Sequence, residues 1–241
     1  SINAPFKTNL QQGNVLAPAV TYGLSNLLPS VTVYDYWDPI TAVSRIVVGG
    51  AVDALSVSVN GDFHEFSFAG PAADLLDSSA FSAGSAGLAT YPAEPGLAGF
   101  DYSIVPGHLG EVWLDGTASQ FFTLTGASLE VKNNIEMRDH EYGSSYPRAV
   151  SAGEREVISK FALLAQDDAQ TVALYAAAKQ RNPIAAMLQL GQQRGQLMGL
   201  YMPNVVPEIP VYNDAKPRLQ WEFNNNLAQG ISDDEIFVAF A

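Results

Sequence analysis

The chain has no cysteine among its 241 residues. Disulfides and thiolate metal sites are thereby excluded, while the redox compartment stays open. Charge is also scarce. Asp, Glu, Lys and Arg make up 15% of the residues, against about 25% in a typical soluble domain. A low-charge surface rich in Ser, Gly, Ala and Asn hints that much of it meets other protein. Basic residues are the scarcest of all: 12 Lys and Arg stand against 25 Asp and Glu, a net charge of −13. Before residue 120 the only ones are Lys7 and Arg45. Binding to a phosphate backbone needs Lys and Arg, so free nucleic-acid binding is disfavoured. An acidic protein can still meet DNA in a repulsive, non-sticking way. No apolar run approaches ~18 residues, so no membrane helix is expected. The stretch "SINAPFKTNL" lacks the basic-then-apolar order of a signal peptide, and folding in a cytoplasm is the expectation.

Catalytic signatures are equally thin. The sequence has no P-loop, no dinucleotide fingerprint and no His-x-x-x-His. The three histidines are His64, His108 and His140. His64 falls on the apolar side of a strand and reads as a partly buried structural residue; His108 sits in a turn. Asp139-His140-Glu141 resembles a ligand set, but consecutive residues of extended chain point to opposite sides. "AGSAG" (83–87) has the spacing of a nucleophile elbow without the strand–turn–helix setting that motif needs. Scattered carboxylates could pair in space for glycoside chemistry, but no spacing points to it. No cofactor and no catalytic residue is expected.

What is present is β pattern. Hydrophobic residues make up 47%, enough to bury the core of one large β domain or two small ones. "AVDALSVSVNGDFHEFSFAG" (51–70) reads as a hairpin around Asn60-Gly61. A two-residue loop there would pair Val59 with Asp62, Val57 with His64 and Leu55 with Phe66. Side chains alternate along a strand, so Leu55, Val57, Val59, Phe66 and Phe68 share an apolar face. Ser56, Ser58, Glu65 and Ser67 share the other, with Phe63 near the turn. In "FFTLTGASLEVKN" (121–133) Ala127, Leu129 and Val131 oppose Ser128, Glu130 and Lys132.

Further strands are expected at 30–37, 44–52, 155–165 and in "AAMLQLG", "QLMGLYMP", "RLQWEFNNN" and "EIFVAFA". One helix is predicted over 167–182, capped by Asp167 or Asp168 and stopped by Pro183, with Val172, Tyr175, Ala176 and Ala178 as its apolar stripe. Residues 1–43 read as an arm, and 70–120, rich in Gly, Ala, Ser and Pro, as a long loop that is mobile or orders on a neighbour. A faint echo links "GAVDALSVSV…HEFSFAGPAADLL" with "GASLEVKN…REVISKFALLAQDDAQTVAL": two strand pairs, each with a polar face and then an acid-flagged, possibly helical segment.

Several stretches together resemble the tail tube proteins of long-tailed, siphovirus-like bacteriophages and related gene transfer particles. These are "VDALSVSVNGDFHEFSFAG", "GASLEVKNNIEMRDHEYGSSYPRAVSAGEREV", the strand and helix that follow, and "GISDDEIFVAFA". Within them stand Asn133-Asn134, Gly143-Ser144 with Pro147, and Gly153-Arg155-Val157. The resemblance is one of pattern and spans roughly 44–241; the arm and the 70–120 loop fit no part of it. It implies a single tail-tube domain over 1–241, mainly β: a β-sandwich or half-open barrel with one flanking α-helix and long extended loops. It further implies a structural virion protein that forms hexameric rings stacked into a hollow tube, assembled in the host cytoplasm and carried in the virion tail. Its partners would be copies of itself, the tape measure, tail tip and tail terminator proteins, and double-stranded DNA passing without specific binding. No membrane is involved.

On that picture Ser56, Ser58, Glu65, Ser67, Ser128, Glu130 and Lys132 are expected to line the bore, with Lys132 neutralised by Glu130 or a neighbouring subunit. The apolar side, including Phe66 and Phe68, is expected to pack under the outer sheet and helix. The arm and the 70–120 loop become candidates for contacts between rings. The competing expectations are a β-sandwich module binding a receptor or carbohydrate through Trp37, Tyr91, Tyr102 and Trp113, and an enzyme on a β scaffold.

Overall fold

A computed structural model describes residues 20–37, 44–96, 104–114, 123–144, 146–191, 196–215 and 217–240. The chain runs through β1 (Val20–Tyr22), β2 (Val31–Asp35), β3 (Arg45–Gly50), β4 (Ala54–Asn60), β5 (Glu65–Ala69), β6 (Asp74–Asp77), β7 (Glu111–Leu114) and β8 (Leu124–Lys132). There follow β9 (Glu136–Met137), β10 (Val150–Ser151), β11 (Glu156–Leu164), the helix α1 (Ala169–Gln180), β12 (Ile184–Leu190), β13 (Met198–Val206), β14 (Val211–Asn213), β15 (Gln220–Ala228) and β16 (Phe237–Phe240). Among the described residues the fold is mainly β with one α-helix, as the sequence predicts.

Among the described residues eleven strands form one curled, half-barrel sheet. One wall runs β5-β4-β8-β11-β15, with β14 beside β15; the other contains β7, β12, β13, β16 and β1. The walls join along β13. Its first half, Met198–Tyr201, pairs with β12 and β16, whereas Val205 and Val206 pair with Ala228 and Leu227 of β15. Period-two alternation decides which side chains enter the space between them. In β8 the buried residues are Ala127, Leu129 and Val131; in β11 they are Val157, Ser159, Phe161 and Leu163. These meet Leu188, Leu200 and Met202 from the facing wall, and Phe161 lies in register with Phe223 at the centre. A second buried cluster, with Trp113, Met187 and Tyr201, draws on the alternate residues of β7, β12 and β13.

Asp168 caps α1: its Oδ1 accepts from the backbone N–H groups of Gln170 and Thr171, both at 2.9 Å, and its Oδ2 accepts from Thr171 Oγ1 at 2.7 Å. The buried face is Thr171, Leu174 and Ala178. This corrects the expected stripe, because Val172 and Ala176 point outward. Alanines and other apolar residues lie all round this helix, so spacing alone could not choose between its faces.

Three further expectations are corrected. The β4–β5 pairing is shifted by two residues, with Ser58 opposite Glu65, Val57 opposite Phe66 and Leu55 opposite Phe68. Asn60 Oδ1 accepts from the N–H groups of Asp62 (2.8 Å) and Phe63 (3.1 Å), which widens the turn. Phe63 then bridges to Pro106, and Gly107 N–H donates to Asp62 O at 2.6 Å. That approach needs glycine, since a Cβ at position 107 would overlap the Asn60 carbonyl oxygen. A shift of two preserves side-chain parity, so the expected faces survive.

The 70–120 segment is not simply a loop. It contains β6, which joins β2 and β3 in a separate three-stranded sheet, and β7, a buried strand of the main sheet. The acid-flagged stretch after β5 is therefore strand, and only the one after β11 is helix. Of the arm, β1 pairs with β16 and β2 with β3; residues 1–19 and 38–43, like 97–103 and 115–122, lie outside the described residues. Among the described residues no helix is long and apolar enough to cross a membrane.

Candidate functional site

The outward face of β5, β4 and β8 carries every residue assigned to a bore from sequence. The register makes them neighbours. Glu65 stands opposite Ser58, and Ser58 opposite Ser128; Ser67 stands opposite Ser56, and Ser56 opposite Glu130; Lys132 closes the row opposite Ala54. Their inward-pointing neighbours Val57, Val59, Leu129 and Val131 are buried, so the polar residues cannot turn inward without moving the core. Ser56, Ser58, Ser128, Glu130 and Lys132 are half-buried within the face, and Glu65 and Ser67 are exposed at its rim. Lys132 Nζ lies 3.3 Å from Glu130 Oε1, the within-subunit partner expected for it.

The face extends one strand further than expected. Glu156, Ile158 and Lys160 of β11 stand opposite Lys132, Glu130 and Ser128. The alternation of "EVISK" (156–160) carries the signal, since Val157 and Ser159 are its buried members. Across four strands the face thus holds three carboxylates (Glu65, Glu130, Glu156) and two ammonium groups (Lys132, Lys160). It is hydroxyl-rich and only weakly acidic, less so than the chain as a whole.

The hydrophobic side of β5 departs from expectation. Val57 and Leu55 join the core, but Phe66 and Phe68 are 45% and 66% exposed. β5 ends the strand order, and among the described residues it pairs with β4 alone. Among the described residues nothing pairs with its outer backbone edge, beside two largely exposed phenylalanines. Such an edge is a template for another strand.

The other candidates do not converge on one place. His64 is half-buried beside Gly110, both ring nitrogens lack a hydrogen-bond partner among the described residues, and burial pushes its pKa down. His108 is exposed in a short 3₁₀ turn, Gly107–Leu109. His140 Nδ1 contacts Asp139 Oδ1, while Glu141 is ion-paired with Arg138 and lies 3.6 Å from Arg148 Nε. Ser85 of "AGSAG" sits in a surface 3₁₀ turn, with its Oγ 3.1 Å from Ser82 Oγ. The four aromatics expected as a binding platform are not all exposed. Trp37 is, Tyr91 packs edge-on against Phe81, Trp113 is buried, and Tyr102 lies outside the described residues. Trp113 is buried because it lies on the side of β7 opposite Val112 and Leu114, where the second core cluster packs, a position that period-two reading of a supposed loop could not assign.

The arrangement can present a wide, hydroxyl-bearing, nearly neutral wall to a partner while offering an unfilled strand edge at its side. Comparison with known protein families and with curated proteins finds no match to this chain.

Proposed function

We propose that this chain is a self-assembling subunit of a phage-type tail tube, its β5-β4-β8 wall turned to the bore. The observation that carries this reading is the pairing of that continuous polar face with the free, phenylalanine-bearing edge of β5. A solitary subunit gains nothing from leaving Phe66 and Phe68 in water. A ring in which each β5 edge meets the next copy covers them and removes the edge, and such a head-to-tail contact closes when its rotation divides the circle. The polar face then borders an enclosed channel. Seryl hydroxyls and a slight excess of carboxylate give passing phosphates no anchor, whereas a basic wall would hold them by releasing counterions. The stacked hexameric rings, the partners at the tube's ends and the place in a virion tail belong to the same reading and rest on the motif resemblance.

Electron micrographs of the purified protein test the assembly: rings or hollow polymers are expected, and a monodisperse small particle at all concentrations would exclude the tube. Glu65→Arg with Glu130→Arg tests the bore. Assembly should persist while DNA delivery by particles carrying the variant falls; unimpaired delivery would place this face elsewhere.

A further inference from the structure

The two ends of the β8–β11 pair are fastened by different means. At the start of β11 the means is charge. Arg155, whose side chain is only 14% exposed, is ion-paired through Nη2 with Asp233, lies 3.7 Å from Glu235 Oε2, and donates through Nη1 to Ser25 O at 3.3 Å. At the other end, where β8 begins, backbone contacts clasp the β4–β5 turn to residues 106–110. Phe63 bridges to Pro106, and Gly107 N–H donates to Asp62 O. Leu109 N–H donates to Pro106 O at 3.1 Å and Gly110 N–H to Gly107 O at 3.0 Å, which tightens the 106–110 side. Gly110 is wedged there: a Cβ on it would lie 3.2 Å from the Gly107 oxygen and 3.3 Å from the Gln189 oxygen of β12.

His64 is packed into this clasp, one residue after the bridge. Its Cε1 comes within 3.7 Å of the place a Cβ on residue 110 would take. Both ring nitrogens are shut off from water and, among the described residues, have no hydrogen-bond partner. A neutral imidazole leaves one N–H and one lone pair unsatisfied in such a place. An imidazolium leaves two N–H donors and a full charge, which costs far more. The surrounding groups offer no relief. Asp62 and Glu65 flank the residue on its own ribbon, and His108 and Glu111 flank Gly110 on the facing side, yet burial is the sole cause that displaces the His64 pKa, and it pushes it down. The residues that β4, β8 and β12 bring to the border of the clasp (Asn60, Thr125 and Gln189) are uncharged.

The clasp is also a rim. Asn60 and Gly107, one from each side of it, border a cavity of about 420 Å³ backed by Val59, Val112 and Leu188. Parting the two sides widens the mouth of that cavity and wets its apolar back. We infer that His64 is an acid-sensitive latch: neutral, it seals the β4–β5 turn against residues 106–110, and protonated, it parts them and opens the cavity. The latch does not depend on the tube reading, although β5, the strand that it frees at one end, is the edge that reading uses.

The direction with pH follows from which state takes up the proton. The closed clasp excludes it, so closure is undiminished above the open-state value, near 6.5. Closure weakens as pH falls from there toward the lower, closed-state value. The opening constant gains at most a factor of about ten per pH unit below 6.5, hence at most about thirtyfold at pH 5.0.

Hydrogen–deuterium exchange of the full chain, corrected for the intrinsic pH dependence of amide exchange, reads the opening. Amides of 61–65 and 107–110 should exchange between about threefold and thirtyfold faster at pH 5.0 than at pH 7.5, with those of β13 and β15 unchanged. His64→Leu and His64→Gln, neither of which takes up a proton, should each abolish the difference. The same acceleration in either folded variant would assign it to another group and overturn the inference, and so would a wild-type clasp that does not respond to pH. NMR titration of the His64 ring in the wild-type chain needs no variant to fold. A midpoint below 6.5 that coincides with the amide change is expected; a ring that titrates while the clasp amides stay unmoved has swung into water by itself, and overturns the latch.

Discussion

Arg155 and Asp233 lie 78 positions apart and form one ion pair at the start of β11. The pair ties together two of the motifs that carry the resemblance, "GEREV" and "GISDDE". Truncating the arginine leaves Asp233 and Glu235 facing each other with little water. Arg155→Ala is expected to destabilise the subunit by about 2–3 kcal/mol, at or just below the lower end for a buried pair broken from one side, because Asp233 and Glu235 keep some exposure. Arg155→Lys should recover only part, because an ammonium cannot serve Asp233 and the Ser25 carbonyl with a planar fork. Chemical denaturation of the dispersed protein measures both.

Asp168 offers a pH-resolved test. Its carboxyl is held below the usual carboxylate range, chiefly by the Thr171 N–H and then by the Thr171 hydroxyl. A depressed folded-state pKa stabilises the fold above the unfolded value, near 3.9, and that stabilisation fades as pH falls through the folded value. Asp168→Ala should therefore cost about 1–2 kcal/mol at pH 7. In melts at pH 3 and below, the gap between wild type and variant should narrow.

The Phe161–Phe223 register pair is the centre of the sandwich, and both rings are fully buried. Phe223→Ala should lower stability by about 3–5 kcal/mol, with Phe223→Leu milder. Urea titration with an unchanged slope would show that the loss is of packing and not of two-state folding.

Phe66 and Phe68 should behave in the opposite way. Replacing both by Ser removes only partly covered side chains from the isolated subunit, so its melting temperature should fall by a few degrees at most. Self-association should weaken by at least tenfold, because the side chains that drive edge pairing are gone. Light scattering across a dilution series reads the second effect, and unaltered association would dissociate β5 from the subunit contact.

The alternating strands were legible because burial of one face imposes a strict period of two. "GASLEVK" and "ALSVSV" each point their polar members one way, and a register slip of two residues left those assignments intact. β7 was missed because "EVWL" is four residues long and buried on both sides, so it alternates too briefly to read against the Gly- and Pro-rich surroundings. The outward helix face was missed for a related reason: alanine is small enough to sit on either side. Phe66 and Phe68 looked like core because composition reports how apolar a face is. It does not report how far the opposite wall extends, which is a property of strands distant in sequence. The Arg155 clamp joins positions 25, 155 and 233, and no local pattern signals it.

The pairing of β1 with β16 carries a consequence for synthesis. Tyr22 waits for Val238, more than two hundred residues downstream, before its ladder can form. The β4–β5 hairpin is complete long before that. During translation the chain therefore exposes its adhesive ribbon while the wall meant to anchor it is still being made, and non-local β pairing is slow and prone to aggregation. Nascent copies on one polysome would be the first to suffer. A holdase that shields residues 54–69 until release is the kind of assistance this topology calls for.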